Sequence, residues 1–330
     1  MDVESLYNLL DNDLAEVRSL IKTTLLETKT DETEPVLQYL LKSQGKLIRP
    51  ILVLLSTHVL DFNLNAEQKQ KLVLVAAAIE LIHMASLVHD DVIDNADSRR
   101  DMASIKAKFG NVTAVTMGVY LYSVALKLIA KTGSIVILDE LSSTVKIMCE
   151  GELKQQHFID SSSLNIESYF DIIHSKTAVL FKSASLVGSL LFDEENTYKS
   201  QLVQFSSSLG YVFQLTDDFL DIMATEDELK KSVGQDFLKG QFTLPMIYAL
   251  EKMTIQEKET VFDCIKNKDL VGLELIKSVF SDNNLDELFN ELIQGYITES
   301  ITAINKLPQN QFNQALLFLV DYLKARVITI

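Results

Sequence analysis

A chain of 330 residues with 11 glycines, 4 prolines and no tryptophan has too few turn residues for a strand-rich domain of its size, so long helices are the economical reading. Its formal net charge of −16 disfavours nucleic acid and anionic membrane surfaces, which reward basic faces, but leaves room for an anionic ligand held through metal ions. Two cysteines, Cys149 and Cys264, are too few for a disulfide framework and read as reduced, buried thiols of a cytoplasmic protein.

The N-terminal residues 1–4 lack a basic stretch followed by an apolar run, so no signal peptide is expected. Leu6, Leu9, Leu10, Leu14, Val17 and Ile21 recur at helical spacing and predict an amphipathic helix packed on the body. Residues 31–35 form a polar break, and Pro35 suits the first turn of a helix running to Gly45. Neither Gly nor Pro interrupts residues 71–94, where Val73, Ala76, Ala77, Leu81 and Ala85 make continuous apolar faces. At about 1.5 Å per residue this is a rod of roughly 36 Å. Residues 109–126 carry no charge, but Gly110, Asn111, Thr113, Thr116 and Ser123 make them a buried helix rather than a transmembrane segment. Residues 141–149, 166–187, 200–209 and 309–326 continue the helical pattern, while 224–243 reads as a loop. With no repeat, low-complexity tract or linker, the prediction is one all-α domain spanning residues 1–330.

The rod ends in acid, at Asp90-Asp91-Val92-Ile93-Asp94. Carboxylates at i and i+4 lie one turn apart on one face, so Asp90 and Asp94 reach the same ion while Asp91 points about 100° away. Three acids at a helix C-terminus oppose the macrodipole and call for a compensating cation. A second copy, Asp217-Asp218-Phe219-Leu220-Asp221, follows another apolar run. Hard oxygen donors without a Cys/His set point to Mg²⁺, which keeps several waters and takes one or two carboxylates plus phosphate oxygens. Cations accompany the acids: Lys46 and Arg49, Arg99 and Arg100, and Lys176 beside Thr177. Arginine holds a phosphate with its fork and lysine as a point charge. His83 lies seven residues before Asp90 on nearly the same face, within reach of a phosphate two turns from the metal.

The stretch from Glu80-Leu81-Ile82-His83 through Asp94, followed by Arg99-Arg100, resembles the first aspartate-rich motif of the trans-isoprenyl diphosphate synthases, and Gly210 through Asp221 resembles the second. Residues 45–50, Glu150-Gly151-Glu152, Lys176-Thr177, Gly234-Gln235-Asp236-Phe237, 240–245 and 317–326 fall in that family's order, so the likeness covers nearly the whole chain. The resemblance implies a helical bundle around a deep cavity, with the acid clusters across its mouth. Asp90, Asp94 and Asp217, supported by Asp91 and Asp221, would bind Mg²⁺ ions that clamp an allylic diphosphate. Arg99, Lys176, Thr177, Gln214 and Lys231 would hold that diphosphate, and Lys46, Arg49, His83 and Arg100 would hold isopentenyl diphosphate. It further implies a homodimer, with a heteromeric partner subunit as the alternative. Pyrophosphate itself would serve as the base.

The sequence departs from the family where Gln44-Gly45-Lys46-Leu47 replaces the usual Gly-Gly-Lys-Arg, where Val119 replaces an aspartate, and at Asp101 and Gln241. A class I terpene cyclase of the same fold would keep one aspartate cluster and an Asn/Ser/Glu set; aspartates at both clusters favour a synthase. Ala85, Ser86 and Ile82, behind the first cluster, are not aromatic. In the resembling family a bulky residue at the position of Ala85 or Ser86 stops growth after about fifteen carbons because displacing a packed ring costs roughly 1–3 kcal/mol or more. Small residues imply a product of about thirty carbons or longer, of the kind used for quinone side chains, with Tyr122 or Leu126 as the floor; a farnesyl or geranylgeranyl synthase is the short-chain alternative.

Overall fold

The rod that the sequence announces begins at Asn65, whose side chain accepts from the Gln68 backbone N–H while the Gln68 side chain accepts from the Asn65 backbone N–H. That reciprocal pair satisfies two of the donors a helix start leaves bare. The computed structural model describes residues 1–27, 30–42, 45–100, 102–158, 165–193, 195, 197–225 and 233–328. Along the chain run α1 (Val3–Leu9), α2 (Asp11–Glu27), α3 (Glu34–Lys42), α4 (Ile48–His58), α5 (Ala66–Ile93), a hairpin of β1 (Ser98–Arg99) and β2 (Met102–Ala103), α6 (Ile105–Phe109), α7 (Asn111–Thr132) and α8 (Ile135–Phe158). Then follow α9 (Ile166–Ile173), a π-helical turn at His174–Ala178, α10 (Val179–Leu190), α11 (Lys199–Met223), α12 (Gln235–Leu238), α13 (Leu244–Lys252), α14 (Ile255–Asn267), α15 (Val271–Asp282), α16 (Leu285–Ile304) and α17 (Gln311–Ile328). The all-α expectation holds.

These elements divide into two compact units. The first comprises Met1–Val145, Ser183–Leu202 and Leu307–Leu316. At its centre α5 packs against α2, α4 and α7. Every residue from Leu72 to Ile82 is buried, which is why the rod is apolar all round over that stretch rather than striped. Gly188 of α10 lets two helices approach closely, since a Cβ there would lie 3.0 Å from the Val53 carbonyl oxygen and nearer still to the Thr57 hydroxyl.

The second unit comprises Lys146–Lys182, Val203–Lys306 and Leu317–Ile330. Its core is aromatic. Phe219 stacks on Phe289 at 4.8 Å between ring centres and meets Phe280 edge-on, while Tyr211 stacks on Tyr296 at 4.9 Å. Offset and edge-on pairs of this kind add to the stabilisation from area burial alone.

Several boundaries differ from expectation. The first amphipathic segment is two helices, α1 and α2, because Leu10 leaves the helical region as the C-cap of α1 while its side chain stays buried. The rod starts at Ala66, five residues early, since the cap lies there. The loop expected over 224–243 contains α12. A two-residue β pairing, Ser98↔Ala103 and Arg99↔Met102, turns the chain sharply after the first acid cluster. Cys149 is exposed, contrary to the buried-thiol expectation, and Cys264 is half-buried; neither is in a disulfide. Nor is α7 a buried helix throughout: Val112, Val115, Val119 and Leu126, at helical spacing, are exposed. Both α5 and α7 are long and apolar enough to cross a membrane by length and composition, but α5 is a largely buried core helix.

Removing the cap of α5 tests how strongly this helix start is held. Asn65→Ala should cost about 1 kcal/mol of stability, within the roughly 0.5–2 kcal/mol span of such changes, read as a lowered urea midpoint. An unchanged midpoint would mean that packing of α5 alone sets its register.

Candidate active site

In the first unit, α5 delivers Asp90 and Asp91 in its last turn and Asp94 as its C-cap. Asp91 turns inward, is buried, and accepts from Arg99 Nε at 2.8 Å. The hairpin makes this possible by folding Arg99 back over the helix end, and Arg100 between its strands takes a left-handed conformation, φ 50°. The Arg100 guanidinium lies against Gly45, where a Cβ would come within 2.6–2.9 Å of its atoms and would displace the end of that side chain. A cleft lined by Tyr39, Gly45, Met84, Asp91, Arg99 and Arg100 brings these groups together.

About two to three turns back along α5 lies a charged cluster drawn into the protein. Arg49 of α4 donates from Nη1 to His83 Nε2 at 3.0 Å. An imidazole that accepts at Nε2 carries its proton on Nδ1. Burial, and then Arg49, Arg100 and Arg99, holds His83 well below its ordinary value, so it is a neutral ring here. Burial likewise pulls Arg49 down to about 10, opposed by the charge of Glu80. Burial pushes Glu80 up, against the pull of Arg49 and Arg100. Glu80 is thus the buried counter-charge of two guanidiniums, a role that sequence reasoning missed although the residue opens the quoted motif; its signal was an acid in the middle of an apolar run. Lys46 is exposed, and its carbonyl accepts from the Tyr7 hydroxyl at 2.7 Å. The next residue, Leu47, is left-handed (φ 54°) and buried. Such a conformation costs an ordinary L-residue roughly 1–2 kcal/mol, so its surroundings must hold it there.

In the second unit, α11 presents Asp217, Asp218 and Asp221 near its C-terminal end. Asp217 pairs with Arg326 Nη2 of α17 at 2.9 Å. Asp221 accepts from the backbone N–H groups of Gln235 and Asp236 at 3.2 and 2.9 Å, and so also fixes the start of α12. Asp218 is buried, accepting from Tyr169 Oη at 2.5 Å and Gln214 Nε2 at 2.7 Å. Burial pushes Asp218 up to about 7 in spite of those two donors, with Asp217 and Asp221 adding repulsion. Gln214 in turn accepts from the Thr177 hydroxyl at 2.7 Å, so Thr177, Gln214, Asp218 and Tyr169 form one chain. Lys176 and Thr177 stand in the π-helical turn, whose extra residue shifts them off the regular helical stripe. Tyr169 and Arg326 are partners that the sequence did not single out by role. Lys231 lies outside the described residues.

Each acid cluster therefore draws an arginine, Arg99 or Arg326, and the second still destabilises one of its own carboxylates, Asp218. Among the described residues no three His, Cys, Asp or Glu side chains come together in metal-holding geometry. Paired carboxylates fit a hard divalent ion that completes its shell with water and phosphate oxygens.

The polyprenyl synthetase family pattern matches residues 30–282. The chain belongs to the polyprenyl synthetase family. It is 31% identical over 323 residues to octaprenyl diphosphate synthase of Escherichia coli strain K12, covering 96% of this chain and 97% of that one. It is 32% identical over 326 residues to heptaprenyl diphosphate synthase component 2 of Geobacillus stearothermophilus, covering 99% of each. Among solved structures, the polyprenyl synthase of Caulobacter crescentus CB15, complexed with calcium and isoprenyl diphosphate, superposes with a TM-score of 0.87 at 27% identity, covering 98% and 97% of the two chains. As a member of this family the chain is a prenyltransferase.

Neutral His83 has a pH consequence. The unfolded chain takes up a proton near the ordinary imidazole value of about 6.5, and the folded site refuses it, so His83 contributes stability that is lost as pH falls below about 6.5. His83 ring-proton shifts followed by NMR should therefore stay those of the neutral form from about pH 8 down to about 5.5. A titration midpoint near 6.5 would contradict the buried cluster.

Proposed function

We propose that this prenyltransferase condenses isopentenyl diphosphate onto an allylic diphosphate, head to tail, to give a trans-polyprenyl diphosphate of about thirty carbons or longer, and that residues 1–330 act as one polyprenyl synthetase domain in the cytoplasm. The observation that carries the reading is the paired carboxylates at two helix ends, each with its own arginine, in a chain matched over nearly its whole length by medium- and long-chain synthases. Asp90, Asp94 and Asp217, with Asp91 and Asp221 in support, are the carboxylates for Mg²⁺. When bound, Mg²⁺ neutralises charge that develops on the departing pyrophosphate.

The chain's own groups do the rest. Arg99, Lys176, Thr177, Gln214 and Lys231 orient the allylic diphosphate; the hydrogen-bonded chain from Thr177 to Tyr169 pre-sets two of them. Lys46, Arg49, His83 and Arg100 hold isopentenyl diphosphate. Since His83 is neutral, Lys46, Arg49 and Arg100 supply the charge there and the imidazole contributes at most one N–H. Donors fixed before the charge develops are the effective kind, because nothing need reorganise as the bond breaks.

Product length follows from α5. Ala85 is fully buried, and Ser86 donates its hydroxyl to the His83 carbonyl at 2.9 Å, so neither offers a ring to block a growing tail. Leu126 is 48% exposed and does not serve as a floor within the first unit. Tyr122 is half-buried against His89, at 5.9 Å between ring centres, and is retained as the candidate.

A second copy covers the apolar stripe of α7. Val112 is 83% exposed, and Val115, Val119 and Leu126 extend the same face over four turns, a patch that a monomer in water would not favour. Val119 also replaces the aspartate common in the family, which strengthens an apolar contact between copies. The similarity to heptaprenyl diphosphate synthase component 2 favours a second reading, in which the partner is a different subunit.

Incubation of the purified chain with farnesyl diphosphate, isopentenyl diphosphate and Mg²⁺ should give products of about thirty carbons or longer, and Asp90→Ala should lower turnover by at least about 100-fold without loss of helicity. Ser86→Phe should shorten the product while sparing the first condensation. Products ending at fifteen or twenty carbons would refute the open cavity, and turnover only after a second protein is added would favour the two-subunit reading. Val119→Glu should convert a dimer to a monomer in sedimentation at micromolar concentration; a wild-type monomer would refute the pairing of copies, and an unaffected dimer would place the interface elsewhere.

A further inference from the structure

The Gly151-Glu152 pair was prominent in the sequence, yet neither residue has a part in the reading above. Both lie on α8 opposite the π-helical turn. A Cβ on Gly151 would fall 2.5 Å from Ser175 Cβ, 3.2 Å from the Ser175 carbonyl carbon and 3.3 Å from Lys176 Cγ. Glycine in a helix interior is less favourable than alanine. Here it permits an approach between α8 and the turn that no side chain would allow.

Glu152 uses that approach. Its Oε2 lies 2.6 Å from Lys176 Nζ, and the pair is largely shielded from water, with side chains 13% and 24% exposed. Gln155 Oε1 accepts from the same ammonium at 2.7 Å. Glu152 and Gln155 are three apart on α8 and so share a face. An ammonium has three donors. Among the described residues two are taken, both by α8, which leaves the third with a defined direction. A lysine on four rotatable bonds would otherwise scatter that donor over many rotamers.

We propose that Glu152 is a positioning residue for the transfer reaction: together with Gln155, and through the close contact at Gly151, it fixes the Lys176 ammonium with a single proton left for the diphosphate. The inference rests on the synthase reading. The carboxylate has two opposed effects on an anion at Lys176. It orders the donor, which favours reaction, and it offsets the lysine's charge, which weakens the hold on free pyrophosphate and eases its release.

A double-mutant cycle separates this from a merely structural ion pair. Glu152→Ala should lower kcat/KM for the allylic diphosphate by about 10-fold or more, since misplacing a reacting group by about 1 Å can cost on the order of 100-fold. In the Lys176→Ala background the same change should cost less than about 2-fold, because its target is gone. Glu152→Gln keeps an acceptor oxygen but removes the charge, so it should retain more activity than Glu152→Ala and bind inorganic pyrophosphate, measured calorimetrically with Mg²⁺, more tightly than wild type. Gly151→Ala should behave like Glu152→Ala while keeping both partners. Additive effects in the cycle, or pyrophosphate affinity unmoved in Glu152→Gln, would overturn the inference while an active wild type left the synthase reading standing. A wild-type chain inactive on farnesyl and isopentenyl diphosphates would overturn both. Thermal unfolding of each variant, with Tm near wild type, shows that the losses are not loss of fold.

Discussion

A carboxylate at the C-terminal end of an apolar helix meets the partial negative charge of the last carbonyl groups, and a second or third carboxylate there adds repulsion at short range. Both aspartate clusters of this chain stand in that position, near the ends of α5 and α11. Much of the structure around them answers to it. Arg99 is folded back by a hairpin to reach Asp91, and Arg326 comes from the last helix to reach Asp217. Asp218 and Asp221 are instead occupied by neutral donors: the Tyr169 hydroxyl, the Gln214 amide and two backbone N–H groups. In the proposed reading, a divalent ion and its phosphate ligands meet the charge that these protein groups leave unneutralised.

The cationic side is built on the same principle with the signs reversed. Arg49 is a guanidinium drawn into the protein beside the exposed Arg100, and Glu80, on the most enclosed part of α5, is the carboxylate that makes the burial of Arg49 tolerable. Removing one partner of such a set leaves a stranded charge, which is more costly than never having buried the set at all. His83, caught among three arginines, gives up its charge rather than add a fourth. The left-handed Leu47 and Arg100 show backbone held out of its preferred region at this same cluster, where strain is kept because neighbouring contacts over-determine the geometry.

Similarity to known proteins and local geometry carry different parts of the functional reading. Family membership establishes the class of chemistry. The hydrogen bonds within each unit explain how individual donors are aimed, as Thr177 is by Gln214 and Lys176 is by Glu152 and Gln155. The π-helical turn matters to both, because one added residue rotates Lys176 and Thr177 relative to the helix on either side.

The sequence by itself determined the helical class, the rod of α5, and the placement of acids at two helix ends, because these follow from scarcity of Gly and Pro, from apolar periodicity and from i, i+4 spacing, all local properties of the chain. It also contained the cations, though not their partners. Only the tertiary structure decided that Asp91 turns to Arg99, that Glu80 is a counter-charge, that His83 is neutral, and that Asp217 is paired across 109 residues with Arg326. It likewise decided that α7 exposes one apolar face and that Cys149 is exposed. Periodicity shows which residues share a face of their own helix, but burial, protonation and ion pairing depend on what the neighbouring helices bring to that face, and those neighbours are distant in the chain.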